Sequence, residues 1–488
     1  MHIYREEEIH AADANAAKNG LSVNALMETA GRSLFYAMRQ YVRQTDRILV
    51  LCGRGNNGGD GIVLARYFRQ FGYDAELVFP FGLPKAEAAA EHFRYYRNLH
   101  FPYGTTWEKD GRYDVIVDAM LGVGTKLPLK KDVAEVLSWC NAQNALRLAV
   151  DLPTGVTADS GEAEEAFRAD ITFTLHGYKP SAFLYPSGKY YGKISVLDIG
   201  LPHSSKWRVW GREDVRRTLK RRDPFSHKGS FGTGLLVAGS DEMPGCAILA
   251  GSAAMRVGIG KLMIGTTKYA ASIVSPRLPE ATYWQINHQS GEALRLPEGA
   301  DAVAVGPGIA DADFIERFLT EIWPKEIPLV LDAGALQPRN WTKRKAPTVI
   351  TPHPGEMARL TGLKVEEIQR NRIKVASDFA VRNGMIVVLK GKDTVIALPD
   401  GTGFVNLTGN PGLAKGGSGD ALTGMILGLV ASEPDPVAAV ANAVYLHGLC
   451  ADELLKEESE RAIMAGDISA TIGRVLRSLA ETEENGSY

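Results

Sequence analysis

Two glycine-rich loops that end in aspartate constrain this chain most. They are Gly53-Arg54-Gly55-Asn56-Asn57-Gly58-Gly59-Asp60 and Gly416-Gly417-Ser418-Gly419-Asp420. The first follows an apolar run, Ile48 to Leu51, and both precede segments of helical periodicity. A glycine turn that opens a helix lets backbone N–H groups converge on an anion where the helix dipole favours negative charge. The chain therefore needs a strand-to-helix architecture twice. Its 488 residues allow that, because they exceed what one ordinary core organises.

The alternation of strand and helix runs through both halves. RILVLC, AELVF, YDVIVDAM and LRLAVD are strand-like, with helices expected from about Asp60, over Lys85 to Asn98 and near Val133. Two amphipathic segments, Glu6 to Lys18 and Val23 to Tyr41, precede them. The pattern stops over Lys206 to Asp223 and restarts with LLVAG, KLMIG, AVAVG, PLVLD, TVIT and MIVVLK. Such alternation implies parallel strands joined by right-handed crossovers. Two α/β domains are expected, residues 1–210 and 211–488. The basic cluster Arg216, Arg217, Lys220, Arg221, Arg222 reads as a solvated interdomain segment, since no aromatic residues interleave with it. The acidic tail from Glu481 to Tyr488 is expected to fray.

Composition excludes several function classes. Lys+Arg 55 against Asp+Glu 57 leaves a net charge of −2, so no basic field points to nucleic acid. No apolar run approaches the roughly 18 residues of a membrane span. The start, MHIYREEEIHAAD, has acids where a secretory signal needs a basic flank, and a cytoplasmic enzyme is expected. Cys52, Cys140, Cys246 and Cys450 lack zinc spacing and read as small buried hydrophobes.

The first loop satisfies G-x-G-x-x-G, but a hydride-carrying domain also places an acid roughly 20 residues beyond, at the end of its second strand. Here that strand ends Phe79-Pro80-Phe81, and Asp74 and Glu76 come too early. The loop's own oxygens, with Asp118 and Asp151 ending two further strands, suit a hard cation beside an anion cradle in which the Gly58 and Gly59 amides approach a phosphate. The alternative is that Asp60 caps its helix and Asp118 and Asp151 cap turns.

Asp420 at a helix mouth could accept a proton from a hydroxyl placed against a phosphate. Gly306-Pro307-Gly308, Asp332, Thr351-Pro352-His353-Pro354-Gly355-Glu356 and Lys390-Gly391-Lys392-Asp393-Thr394 also follow apolar runs. No Walker loop occurs.

These stretches carry a resemblance. GNNGGDG, VDAMLGVGTKL and AVDLPTGV resemble, in order and spacing, the N-terminal domain of the bifunctional NAD(P)H-hydrate repair enzymes. His227-Lys228-Gly229-Ser230-Phe231-Gly232 and NPGLAKGGSGDALTG resemble their C-terminal dehydratase domain. The likeness implies a Rossmann-like three-layer α/β/α domain followed by a ribokinase-like α/β domain. It implies epimerisation of R- and S-NAD(P)HX, the hydrates of NADH and NADPH, then dehydration of the S form at the expense of ADP.

By the same likeness, potassium sits on Asn57, Asp118 and Thr154, the last standing where serine is usual. The hydrate contacts Asn56, Asn57, Gly58, Gly59 and Asp60, then Gly122, Val123, Gly124, Thr125, Lys126, Leu127 and Pro128, then Asp151, which is also catalytic. In the second domain Gly308, His353 and Glu356 lie at the hydrate or metal side and Asp420 is the base. ADP is held by Lys390, Gly391, Lys392, Asp393, Thr394, Gly416, Gly417, Ser418 and Gly419, with Mg2+. Expected partners are NADHX, NADPHX and ADP, with no nucleic acid or membrane, and a homo-oligomer is expected. The competing readings are a ribokinase-like kinase of a small alcohol and a non-catalytic nucleotide-sensing protein.

Overall fold

The computed structural model describes residues 1–286, 294 and 296–481, so the acidic tail beyond Glu481 lies outside the described residues. The chain divides into two compact units: Met1–Trp207 with Gln369–Asn371, and Arg208–Ile368 with Arg372–Tyr488. No described helix is long and apolar enough to cross a membrane.

After a short strand β1 (His2–Ile3), the first unit is built on β2 (Arg47–Cys52), β3 (Asp74–Val78), β4 (Tyr103–Gly104), β5 (Val115–Ala119), β6 (Leu146–Val150), β7 (Ile171–Leu175) and β8 (Lys193–Leu197). These seven pair in the order β4-β3-β2-β5-β6-β7-β8, every pair parallel. A parallel sheet is covered on both faces, and the period of two in β2 shows how. Ile48, Val50 and Cys52 join the core under the helices Val23–Met38 and Asn56–Gln70, while Leu49 and Leu51 pack on the other face with Leu137 and Phe167. The strand order reverses between β2 and β5, and ligands of open α/β sheets bind at such a switch. Gly53 makes the switch tight: its N–H donates to the Ala119 carbonyl at 3.0 Å, and a Cβ there would lie 1.7 Å from the Met120 oxygen.

The helix after β2 begins at Asn56, one turn earlier than expected from Asp60. Glycine inside a helix is unfavourable by roughly 1 kcal/mol, which argued against including Gly58 and Gly59. Packing requires them, since a Cβ on Gly58 would meet the Gly53 oxygen at 2.1 Å and one on Gly59 the Met27 sulfur at 2.4 Å.

The second unit contains β10 (Thr233–Val237), β11 (Lys261–Thr266), β12 (Thr282–Gln285), β13 (Ala302–Val305), β14 (Leu329–Leu331), β15 (Thr348–Ile350), β16 (Ile386–Leu389), β17 (Thr394–Ala397) and β18 (Gly403–Asn406). Their order is β18-β17-β16-β15-β14-β13-β10-β11-β12, with β9 (Trp207–Val209) beside β18. Strands β10 to β16 are parallel, but β16-β17-β18 form an antiparallel meander. The segment Lys390 to Thr394 is thus the turn of a hairpin rather than a strand-to-helix loop. The switch lies between β10 and β13, where the Gly239 N–H donates to the Pro307 carbonyl at 2.8 Å.

Two helices fix the second loop. Ser418–Ser432 is buried from Ala421 to Val430 and packs on Pro244–Val257 so closely that a Cβ on Gly424 would lie 1.9 Å from the Ala250 oxygen.

In the stretch Lys206 to Asp223 the basic residues Arg217, Lys220, Arg221 and Arg222 are exposed, as expected, and Arg216 is half-buried. The stretch also holds the helix Arg212–Thr218, whose Val215 is fully buried. Arg216 Nε donates to the Leu479 carbonyl at 3.0 Å, and Arg222 donates to the Gly258 carbonyl while its guanidinium lies 4.0 Å from the Phe231 ring centroid. These arginines satisfy carbonyls at the ends of other helices, where cations are favoured.

Candidate active sites

At the first switch point Asp118 ends β5 with its carboxylate fully buried. It accepts hydrogen bonds from the Thr154 N–H at 2.7 Å, the Thr154 hydroxyl at 2.7 Å and the Met120 N–H at 3.1 Å. The Thr154 oxygen in turn accepts from the Leu121 N–H at 3.0 Å, and Asn57 Nδ2 donates to the Leu121 carbonyl at 3.0 Å. Asn57, Asp118 and Thr154 are therefore one connected network drawn from three segments. Burial pushes the Asp118 carboxyl up to about 6 despite those donors. All its hydrogen-bonding partners are neutral, so the carboxylate is short of a compensating positive charge.

Beside this network lies a cavity of about 780 Å³. Asn56, Asn57 and Asp60 line it from one side, the Gly122 to Lys126 loop and Pro128 from another, and Asp151 and Lys179 from the end of the sheet. Asp151 sits in the left-handed region at φ 67. A non-glycine residue held there is strained, and such strain gathers at functional sites. Its carboxylate is ion-paired with the buried Lys179, which also donates to the Thr174 hydroxyl and the Leu175 carbonyl, each at 3.0 Å. Asp60 is raised well above the ordinary carboxylate range, first by burial and then by the nearby charges of Asp151 and Asp13.

The second site gathers around Lys390 at the end of β16. Its ammonium donates to Asp332 at 2.8 Å and lies 3.9 Å from Glu356. Asp332 is buried and also accepts from the Thr351 hydroxyl at 2.7 Å and the Thr423 hydroxyl at 2.8 Å. Burial would raise its carboxyl, but Lys390 and the two hydroxyls outweigh that and hold it low. Asp420, at the start of the helix Ser418–Ser432, goes the other way. Burial takes it up to about 6, against the Cys246 thiol and Lys390, which lower it. Two carboxylates with environments that push them apart mark an acid–base site.

Most residues expected in each site come together, with exceptions of position. Gly58, Gly59 and Leu127 do not line the first cavity, and the Gly59 N–H donates to the Gly55 carbonyl at 3.2 Å. These two glycines allow close helix packing, and of the two only Gly58, in the first helical turn, keeps an N–H without an intrahelical acceptor. His353 caps the helix Pro354–Thr361, accepting on Nδ1 from the Gly355 N–H at 3.0 Å, while its own N–H donates to Glu356 at 2.8 Å. The Ser418 hydroxyl donates to the Leu413 carbonyl at 2.7 Å. Gly308, at φ 69, lets its loop meet Cys246, whose Cβ lies 2.9 Å from a Cβ built there. Arg372, buried, staples the turn from Lys390 to Thr394 by donating to the carbonyls of Leu389, at 2.8 Å, and Lys392. Sequence reasoning missed Lys179, Arg372 and Thr423, which have no motif, read Cys246 only as a buried hydrophobe, and named Thr351 after an apolar run without a role. It noted Asp332 as a strand end and gave it no role.

Residues 23–181 match the YjeF-related protein N-terminus family and residues 234–474 the NAD(P)H-hydrate dehydratase family. The bifunctional NAD(P)H-hydrate repair enzyme Nnr of Thermofilum pendens is 33% identical to this chain, over 99% of it and 98% of the relative. The chain belongs to the bifunctional NAD(P)H-hydrate repair enzyme family. The ADP-dependent (S)-NAD(P)H-hydrate dehydratase of Bacillus subtilis is 47% identical over 55% of this chain and 97% of its own. The crystal structure of the ADP/ATP-dependent NAD(P)H-hydrate dehydratase from Bacillus subtilis, co-crystallized with ATP/Mg2+, matches with a TM-score of 0.54 and 46% identity, covering 56% of this chain and 98% of that one. In the repair-enzyme family the order of the two domains is the order of the two sites described here.

Proposed function

We propose that the chain repairs hydrated nicotinamide nucleotides at two sites, interconverting R- and S-NAD(P)HX in residues 1–210 and dehydrating the S form with ADP in residues 211–488. The observation that carries this reading is the pairing of two different acid–base sites, each at the carboxyl ends of parallel strands in its own sheet, in a chain matched end to end by the repair enzymes. A kinase of a small alcohol has no use for the first site.

At the second site the reaction needs a better leaving group than hydroxide. Asp420 takes the proton of the C6 hydroxyl as its oxygen attacks the terminal phosphorus of ADP, and AMP leaves. Phosphate then leaves C6 with the C–O bonding electrons and takes the C5 proton, and the C5–H electrons restore the ring double bond. Lys390 stands 3.4 Å from a Cβ built on Gly419, so its ammonium lies at the mouth of the helix where phosphates are favoured. Among the described residues no group of three His, Cys, Asp or Glu side chains could hold a metal, and Asp332 and Glu356 already face Lys390. Mg2+ fits as an ion carried in on the nucleotide phosphates, which is its common mode.

Potassium fits the first site by its donors: the amide of Asn57, the hydroxyl of Thr154 and a buried carboxylate, Asp118, without a cationic partner. When bound there it would supply positive charge beside the substrate pocket. The test is the return of NADH absorbance from a chemically hydrated mixture. Full recovery with ADP and none without it is expected, whereas accumulation of a phosphorylated small alcohol would establish the kinase.

A further inference from the structure

One wall of the first cavity comes from a helix that precedes every motif, Glu6–Lys18. It lies N-terminal to residues 23–181, the segment matched to the YjeF-related family. None of its residues is buried, yet Ile9 and Asp13, four apart and so on one face, both line the cavity with His10. Across the same space stand Asp60 and the ion pair of Asp151 with Lys179.

Four carboxylates thus line one cavity, Asp13, Asp60, Asp132 and Asp151, with Lys179 buried and already paired to Asp151 and with Arg54, Lys126 and Lys130 also in its lining. Carboxylates gathered in one cavity repel one another, which favours a proton on some of them. Burial raises Asp13 above its ordinary range and Asp151 raises it further, while His10 and Lys179 lower it. His10 is exposed, lies 3.6 Å from Glu6 and lines the cavity with Asp13.

Resting on the epimerase reading above, we propose that Asp13 is a catalytic proton carrier of the first site, working with Asp151 on the hydrated nicotinamide ring. Epimerisation at C6 must erase the configuration of one carbon without oxidation or reduction. That carbon bears both the hydroxyl and the bond to N1, so opening the ring suffices. Asp151 takes the hydroxyl proton and the O–H electrons form the carbonyl. The C6–N1 bond breaks, its electron pair goes to N1, and N1 takes the proton of the Asp13 carboxyl. The open aldehyde turns about its single bond. N1 then attacks the opposite face and returns its proton to Asp13, while the oxygen recovers the proton from Asp151. Both carboxyls end as they began and no co-reactant is consumed.

The test uses the full chain with Asp13→Asn and Asp13→Glu, following loss of the R hydrate through ADP-dependent dehydration. Dehydration of pure S hydrate, carried out in the other unit, is the internal control and should not change. Asp13→Asn should lower kcat for the R form by about 10²- to 10⁴-fold, the usual worth of a general acid or base. KM should stay within about threefold, and Asp13→Glu should recover part of kcat. A melting curve like that of the wild type shows that Asp13→Asn is folded; should it unfold, Asp13→Glu alone carries the test, with an intermediate kcat expected. The inference is overturned if Asp13→Asn turns over normally, or loses only KM, while Asp151→Asn abolishes epimerisation. A wild-type chain that leaves the R hydrate untouched would remove the epimerase reading itself, and this inference with it.

Discussion

Charge decides what individual residues do in both sites. Asp420 is held up to about 6 by burial, yet it must be ionised to act as a base. Its unprotonated fraction falls as pH drops through that value, so kcat for dehydration should fall about tenfold per pH unit below about 6. A flat rate from pH 7 to 5 would show that another group takes the proton. Asp420→Asn should cost about 10² to 10⁴ in kcat with ADP binding retained, which calorimetry with ADP would check. Asp118 makes the complementary case. Asp118→Ala removes the only carboxylate of the potassium donors, so K+ should raise the melting temperature of the wild type and not of the variant. Equal shifts in both would place the ion elsewhere. Asp118 and Asp420 were legible as positions at a strand end and a helix mouth, and Thr154 only through the family likeness. Lys179 was not: it acts through a single ion pair to Asp151, formed 28 residues away in sequence, and a lone lysine in a sequence usually means an exposed charge.

At the level of elements, each strand read from an apolar run is present in a parallel pair, but β4, β7, β8 and β12 were not read, and two helical features escaped a local reading. The helix Arg212–Thr218 was not read, because its one buried residue, Val215, stands alone in a charged stretch. Gly58 and Gly59 lie inside the helix that begins at Asn56, where local propensity disfavours glycine and close packing on Gly53 and Met27 requires it. Gly424→Ala weighs these two forces against each other. Helix propensity would favour alanine by roughly 1 kcal/mol, but the new Cβ would lie 1.9 Å from the Ala250 oxygen, and overpacking typically costs about 1–3 kcal/mol. The helix carrying Asp420 must then shift. The variant should be less stable in urea and slower in dehydration. A variant as stable as the wild type would mean that the two helices do not pack this closely.

For the whole molecule, each sheet closes its own core and builds its site from its own strands. The second unit also has a free-standing counterpart, since 98% of a solved Bacillus subtilis dehydratase is covered by 56% of this chain. A fragment of residues 211–488 should therefore fold alone. It keeps Asp332, Lys390 and Asp420, and with them the whole acid–base set of the second site. It lacks Asp118, Asp151 and Lys179. The fragment should consume the S hydrate with ADP at the rate of the full chain and then stop, leaving the R hydrate to vanish only as fast as it epimerises spontaneously. Adding residues 1–210 in a separate chain should restore complete consumption, because domains with their own cores act independently unless a large interface couples them. Progress curves of NADH absorbance read both phases in one experiment. A fragment that removes both epimers at the full-length rate would show that one site does all the chemistry. A full-length rate that the mixed fragments never reach would show instead that the covalent link is needed.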